Sequence, residues 1–308
     1  TDQILAMAGV GPVMSDPVIV ERVRAEAYQT RYGFYLQDSL EVDAFTFTPG
    51  ARLDYFNVQD QQTDFTDDVF GVSGSLGSIY NISDEQTVYL NLASDFGAPT
   101  AVIGQMDLDP ERSWSAELGS KLDADSMTYE VAGFVNKVQD YIGENPLGII
   151  KGLSTSQYDN LGDVTFYGGE AAATWHIIDK LDLYGNAGRT WTTEDEMVDV
   201  ADWIFNYGVR LIEPLNTEML RTMYASIYLR TALDSTQKTS NPGRLPFPDN
   251  NAFTTVNAEL NFDLGNTQFG RGKIISGMRN IFNQAYREPF FEMLQPGRNV
   301  YAGMQFEF

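Results

Sequence analysis

From Arg31 onward the chain alternates apolar and polar positions with a period of two. Tyr32, Phe34, Leu36, Leu40 and Val42 fall on one side, and Arg31, Gly33, Gln37, Ser39 and Glu41 on the other; only Asp38 interrupts the apolar row. After Asp43 the row resumes with Phe45, Phe47, Ala51, Leu53 and Tyr55 against Thr46, Thr48, Gly50, Arg52 and Asp54. Successive side chains leave opposite faces of a β-strand, so a period of two predicts strands with one apolar and one polar face. The shortness of the connection predicts a hairpin.

The unit repeats. Strands are predicted at Phe70 to Ile82 and Gln86 to Asp95, meeting at Ser83-Asp84-Glu85, then at Arg112 to Leu122 and Thr128 to Asp140, meeting at Asp123-Ala124-Asp125. Val164 to Ile178 and Leu181 to Trp191 meet at Asp179-Lys180, and Trp203 to Ile212 and Glu218 to Ala232 meet near Pro214. Phe253 to Leu264 alternates most regularly and pairs with Gly272 to Phe282 across Gly265 to Arg271. The last segment places Val300, Ala302, Met304 and Phe306 opposite Asn299, Tyr301, Gly303, Gln305 and Glu307, and stops at Phe308. Its length matches the roughly 9–11 residues of a tilted transmembrane strand, although a soluble sandwich would accept that strand alone equally well. About thirteen strands are expected in all. Residues 1–30 carry no such pattern and are read as an irregular lead-in or loop, and 31–308 as the strand region.

The connections decide between the two settings. Tight turns alternate with long polar stretches: Asn57 to Asp68, Phe96 to Glu111, Ile142 to Asp163, Thr192 to Asp202, Leu233 to Asn251 and Asn283 to Gly297. A compact soluble domain rarely carries so many long loops. Outer-membrane barrels do, with short turns on the periplasmic side and long loops outside. The expected fold class is therefore all-β, a transmembrane antiparallel β-barrel. By that parity the strand from Arg31 runs inward, so Thr1 lies on the extracellular side and Phe308 on the periplasmic side. An odd count starting outside does not make a complete barrel of even strand number, so further strands are expected upstream.

Composition agrees. Aromatic residues are 13% of the 308 while the mean hydropathy is only -0.26, as alternation between lipid and water produces. No apolar run approaches 18 residues, which excludes a helical membrane protein. The net charge of -23 argues against a nucleic-acid partner, which needs a basic surface; solvated acidic loops explain it best. With Cys 0 there is neither a disulfide framework nor a thiolate metal site. The chain opens at Thr1-Asp2 and is read as a mature product or a fragment.

Several segments then resemble a known family. YGFYLQDSLEVDAFTFTPGARLDYF at Tyr32 to Phe56, YNISDEQTVYLNLASDFGAPT at Tyr80 to Thr100 and LDPERSWSAELGSKL at Leu108 to Leu122 resemble mid-barrel segments of TonB-dependent outer-membrane receptors. YGGEAAATW at Tyr167 to Trp175 resembles that family's Gly-Val-Glu strand, with Gly169 and Glu170 in place and the valine absent. GMRNIFNQAY at Gly277 to Tyr286 resembles its Asn-Leu-Phe-Asn motif, with Asn280, Phe282 and Asn283 present and Ile281 for leucine. Pro296-Gly297-Arg298 and the strand ending at Phe308 complete the order, over about nine-tenths of the chain.

The resemblance implies a barrel of about twenty-two strands with a plugged lumen, and a receptor for energised uptake of a scarce nutrient such as an iron chelate, a cobalamin or an oligosaccharide. The family's plug and the segment that meets the TonB protein have no counterpart here. The implied partners are thus the amino-terminal part of the same receptor, with the plug and about nine strands, the TonB protein through that part, outer-membrane lipid and a small nutrient ligand. A chain split or nicked in a surface loop would account for this, since loop tips are preferred cleavage sites. The alternative function is a passive porin or structural barrel without a plug.

No catalytic set, cofactor or metal site is expected. His176 is the single histidine, and a triad needs a base held by a third group and facing a nucleophile; an interfacial or turn histidine fits better. Glu194, Asp195, Glu196, Asp199 and Asp202, or Asp64, Asp67 and Asp68, could bind calcium but lack the glycine-punctuated spacing of a calcium loop. Trp114, Trp191 and Trp203 stand near strand ends, where they fit an aromatic girdle better than the alternative of ligand contact by some of them. Arg52, Asp54, Glu117, Glu170, Asn186, Arg210, Tyr228 and Arg230 take the polar parity and are candidates for the lumen wall. Phe308, Phe306 and Met304 are the expected barrel-assembly signal.

Overall fold

A computed structural model describes residues 27–60, 65–99, 108–150, 153–194, 201–215, 217, 219–233, 252–267, 270–289 and 293–307. The elements in order are β1 (Ala27–Gln37), β2 (Leu40–Val42), β3 (Phe45–Asp60), β4 (Phe65–Asn81), β5 (Gln86–Gly97), β6 (Glu111–Ala124), β7 (Met127–Gln139), β8 (Ile142–Ile150) and β9 (Leu153–Asn160). There follow β10 (Val164–Ile178), β11 (Leu181–Thr192), β12 (Ile204–Pro214), β13 (Thr222–Ala232), β14 (Phe253–Thr267), β15 (Gly270–Arg279) and β16 (Asn299–Glu307). All described regular structure is β, and every pairing is antiparallel.

One 14-stranded sheet runs β1-β3-β4-β5-β6-β7-β10-β11-β12-β13-β14-β15-β16, with β2 attached to β3 beside that path. The path holds thirteen strands, each beside its neighbour in sequence apart from the β8-β9 pair, which forms a sheet of its own. Among the described residues β1 and β16 do not pair with each other, so both are edges.

The register shows why the alternation is so regular. Tyr32 faces Tyr55, Phe34 faces Leu53 and Leu36 faces Ala51; Tyr55 then faces Phe70 and Leu53 faces Val72. The same face continues through Leu92 and Leu90, Ala116 and Leu118, and Val135 and Val131. It ends at Ile274, Met278, Val300, Met304 and Phe306. A one-residue slip would turn every apolar side chain to the other side, and thirteen strands keep one register of faces.

Among the described residues that apolar face covers no core. The buried hydrophobic residues among those described are six, Phe56, Val58, Ala132, Val164, Ala232 and Phe253, while Tyr32, Phe34, Leu36, Phe70, Val72, Trp114 and Leu118 are each about three-fifths exposed or more. The accessible surface is 21050 Å², against roughly 13,000 Å² for a compact soluble protein of this mass. Burial is the main favourable term in folding, so a sheet this bare in water would not hold. Hydrocarbon against the apolar face supplies what a core would. No described helix is long and apolar enough to cross a membrane; strands cross by pairing with one another.

Four expectations need correction. The strand drawn from Arg31 to Val42 is two: it starts at Ala27, so the last four residues of the lead-in are strand, and it breaks at Asp38-Ser39. There Asp38 Oδ1 takes the Ser39 N–H at 2.9 Å, while the Asp38 N–H still reaches Pro49 O at 3.2 Å. Asn57 to Asp68 is mostly strand and not loop, since β3 runs to Asp60 and β4 starts at Phe65. Its outward side is polar, but Asn57 and Tyr55 both bond Asp68, at 2.7 and 2.8 Å, and hold the ladder together.

The stretch Ile142 to Asp163 carries the hairpin β8-β9, whose period is obscured by a register shift between Pro146 and Gly148. Gly265 to Arg271 is not an open loop either: β14 continues to Thr267 over a register shift between Asp263 and Gly265, and β15 resumes at Gly270 and ends at Arg279 rather than Phe282. Gly265 sits at φ 65, a backbone state that favours glycine.

Candidate functional site

The strands that carry apolar residues outward present the intervening ones on the opposite face. All eight expected wall residues share that face. Arg52 and Asp54 face Ser73 and Gly71, Glu117 faces Asn91 and Phe134, and Glu170 faces Ala132 and Gly188. Asn186 faces Asn206, while Arg210, Tyr228 and Arg230 face Ser226, Gly208 and Asn206.

They do not form one constellation. Asp54, 4% exposed, accepts from Arg31 Nε at 2.9 Å and from Arg52 Nε at 2.6 Å; one carboxylate thus holds two guanidinium groups from adjacent strands. Glu117 receives Asn91 Nδ2 at 3.4 Å, and Lys121 pairs with Glu130 at 2.7 Å. Between them Tyr89 lies over Gly119, where any side chain would collide with its ring. Glu170 and Asn186 line a shallow concavity of about 510 Å³ together with Glu130, Phe134 and Gly188. Tyr228 is seated against Gly208, whose missing Cβ leaves room for it.

Three partners were not foreseen. Asp182, 6% exposed, accepts from His176 Nδ1 at 2.7 Å and lies 3.4 Å from Arg210 Nε. His176 is therefore part of strand β10, bonded across to β11, and not a turn residue; its polar parity with Asp182 was the available signal. Glu288 arrives from the segment after β15 and grips Arg230 by both oxygens, at 2.7 Å each, while Arg230 Nη1 also reaches Asn206 Oδ1 at 3.2 Å. Glu259 accepts from Tyr301 at 3.0 Å across three strands. Outside the strands, Tyr286 packs on Phe253 with centroids 4.4 Å apart. Its burial, with Glu288 beside it, raises the phenol above its ordinary range.

The Asn-x-x-Asn and Pro-Gly-Arg segments make one clasp. Asn280, 2% exposed, donates to Gln284 O at 2.8 Å and Pro296 O at 3.4 Å and accepts from Gln284 N at 2.8 Å. Its own N–H goes to Asn257 Oδ1 at 3.0 Å. Asn283 Oδ1 takes the Arg298 N–H at 2.9 Å, and Arg298 Nε returns to Ile281 O at 2.7 Å. Both asparagines have positive φ, 50 and 56, which asparagine tolerates better than other non-glycine residues.

Among the described residues no three His, Cys, Asp or Glu side chains are grouped to hold a metal. Of the acidic clusters considered for calcium, Asp64, Asp195, Glu196 and Asp199 lie outside the described side chains. Met304 and Phe306 lie on the apolar face; Phe308 lies outside the described residues.

The family model described as "TonB dependent receptor-like, beta-barrel" matches residues 8–280. The chain belongs to this family. No curated protein sequence matches it. Among solved structures the TonB-dependent fold recurs in "Copper transporter OprC", at TM-score 0.78 and 17% identity over 92% of this chain and 49% of that one. It recurs in the FrpB iron transporter from Neisseria meningitidis (TM-score 0.73, 14% identity, 92% and 46%). BauA, the ferric preacinetobactin receptor from Acinetobacter baumannii, gives 0.69 and 14% over 94% and 46%. The chain spans about half the length of each, and receptors of this family are outer-membrane proteins.

Proposed function

We propose that this chain is the carboxy-terminal wall of a TonB-dependent receptor that takes up a scarce small nutrient, such as an iron chelate, a cobalamin or an oligosaccharide. The observation that carries the reading is the division of faces: an apolar side that no described residue covers and an opposite side on which arginines meet carboxylates, Arg31 and Arg52 at Asp54 and Arg230 at Glu288. Similarity to a copper transporter and to a ferric preacinetobactin receptor favours a metal-bearing cargo. The wall's two edges, β1 and β16, pair with about nine further strands from the receptor's amino-terminal part, which also brings the plug and the contact to TonB. The long connections and Thr1 face outside and Phe308 faces the periplasm, so ligand meets the loops first and the plug next.

Two measurements test this. Cells carrying the intact receptor should accumulate a labelled chelate only when TonB is functional. In planar bilayers without ligand the receptor should be nearly closed. A steady ohmic conductance with uptake that ignores TonB would overturn the reading and leave a passive pore. Denaturing mass spectrometry of the native material should show the plug-bearing sequence, joined to this one or as a second polypeptide.

A further inference from the structure

Charge on the two faces of the sheet is distributed unevenly. Eight of the eleven cations in the described strands take the polar parity, Arg31, Arg52, Lys121, Arg210 and Arg230 among them. Three take the apolar parity: Arg112, opposite Phe96; Lys137, opposite Trp114; and Arg189, opposite Gly169. These three lie on β6, β7 and β11, within four neighbouring strands, and all at the end where the long connections leave. In a chain of net charge -23, cations gathered at one rim of the hydrocarbon-facing side need a reason.

Their surroundings are those of a membrane interface. Arg189 lies over the Trp191 ring at 4.8 Å and near Trp203 at 6.0 Å. Trp191 stacks on Tyr167 with centroids 5.8 Å apart, and Trp114, beside Lys137, is 62% exposed. Tryptophan and tyrosine settle at headgroup level, and long basic side chains beside them reach toward lipid phosphates. Each cation keeps donors to spare. Lys137 meets Asp163 at 2.8 Å with both side chains half exposed, using one of three N–H groups. Arg189 meets Asp202 through Nη1 at 3.1 Å, using one arm of its guanidinium fork. Arg112 makes no ion pair among the described residues.

We infer that Arg112, Lys137 and Arg189, set in the Trp114-Tyr167-Trp191-Trp203 rim, form a docking site for the phosphorylated headgroup of an anionic lipid in the leaflet at the long-connection end. The phosphate accepts from the unused N–H groups while the acyl chains lie along the apolar rows of β6 to β11. The inference rests on the membrane-wall reading.

The test uses the whole receptor in detergent micelles doped with lipid A, with its dephosphorylated form, or with inorganic phosphate alone, read by native mass spectrometry and thermal unfolding. Lipid A should bind and raise the unfolding temperature; R112Q/K137Q, both at exposed or half-exposed side chains, should bind it on the order of fivefold more weakly per cation removed. K121Q, on the polar face, should bind as the native protein does. Arg189 is left in place because it is packed among rings. Equal binding of dephosphorylated lipid, or an equal shift from inorganic phosphate, would overturn the lipid-headgroup site. So would an unchanged R112Q/K137Q in a receptor that still requires detergent. A receptor stable without detergent would instead overturn the membrane wall itself.

Discussion

The two faces of the sheet are built by different rules. On the apolar face the residues are interchangeable: Leu90, Leu118, Val131 and Val209 need only be hydrophobic, because hydrocarbon has no preferred partner for any one of them. On the polar face the ionic residues meet particular partners, Asp54 with Arg31 and Arg52, Asp182 with His176, Glu288 with Arg230. The lesson is that the wall's existence follows from a pattern, whereas its chemistry follows from pairs.

The largest effect that would break this contrast is a charge on the apolar side. Leu118→Arg, in mid-strand, should cost about 2–4 kcal/mol and abolish the heat-modifiable folded band on a gel, while Ser115→Arg on the other face of the same strand should fold normally. Equal tolerance at both positions would refute the division.

Next comes the clasp. Asn280→Ala removes three side-chain bonds to part-buried backbone and should destabilise by about 1–3 kcal/mol. Asn280→Gly should recover only the part due to positive φ. Thermal unfolding of both variants measures the split. If the glycine variant matched the native protein, the hydrogen bonds would contribute nothing.

Smaller again is Glu288→Gln, which breaks the forked contact to Arg230. A partly exposed pair of this kind is worth about 1 kcal/mol. Limited proteolysis should cut the segment after Arg279 faster while the strands stay intact. The smallest change is Lys180→Gln at the tight-turn end, where the pair with Glu213 is about half exposed on the lysine side. It should shift stability by a few tenths of a kcal/mol at most.

The same contrast explains what was legible in the sequence. Strand faces, the tight turns and the terminal strand follow from the period of two and short-range turn chemistry; Val164–Ile178 and Leu181–Thr192 around Asp179-Lys180 fall where the pattern puts them, to within a residue. Two stretches were hidden because their hydropathy does not alternate: polar side chains on both strands past Asn57, and Pro146 and Gly148 inside β8. On the site, parity identified which face Arg52, Glu170 and Arg230 share. It could not identify Glu288, 58 residues from Arg230 in sequence, because that meeting depends on how a long connection folds back. The asparagine and Pro-Gly-Arg motifs were visible as text, and only their geometry joins them into one clasp.

The central claim is that lipid lies against one face and water or protein against the other. Because the chain has no cysteine, single cysteines can be placed along β5 at Val88, Tyr89, Leu90, Asn91, Leu92 and Ala93 and spin-labelled in the reconstituted receptor. Labels at 88, 90 and 92 should collide freely with dissolved oxygen and be shielded from a water-soluble nickel chelate, with the intervening three shielded from oxygen. A profile without this period of two, or nickel access at every position, would contradict the account.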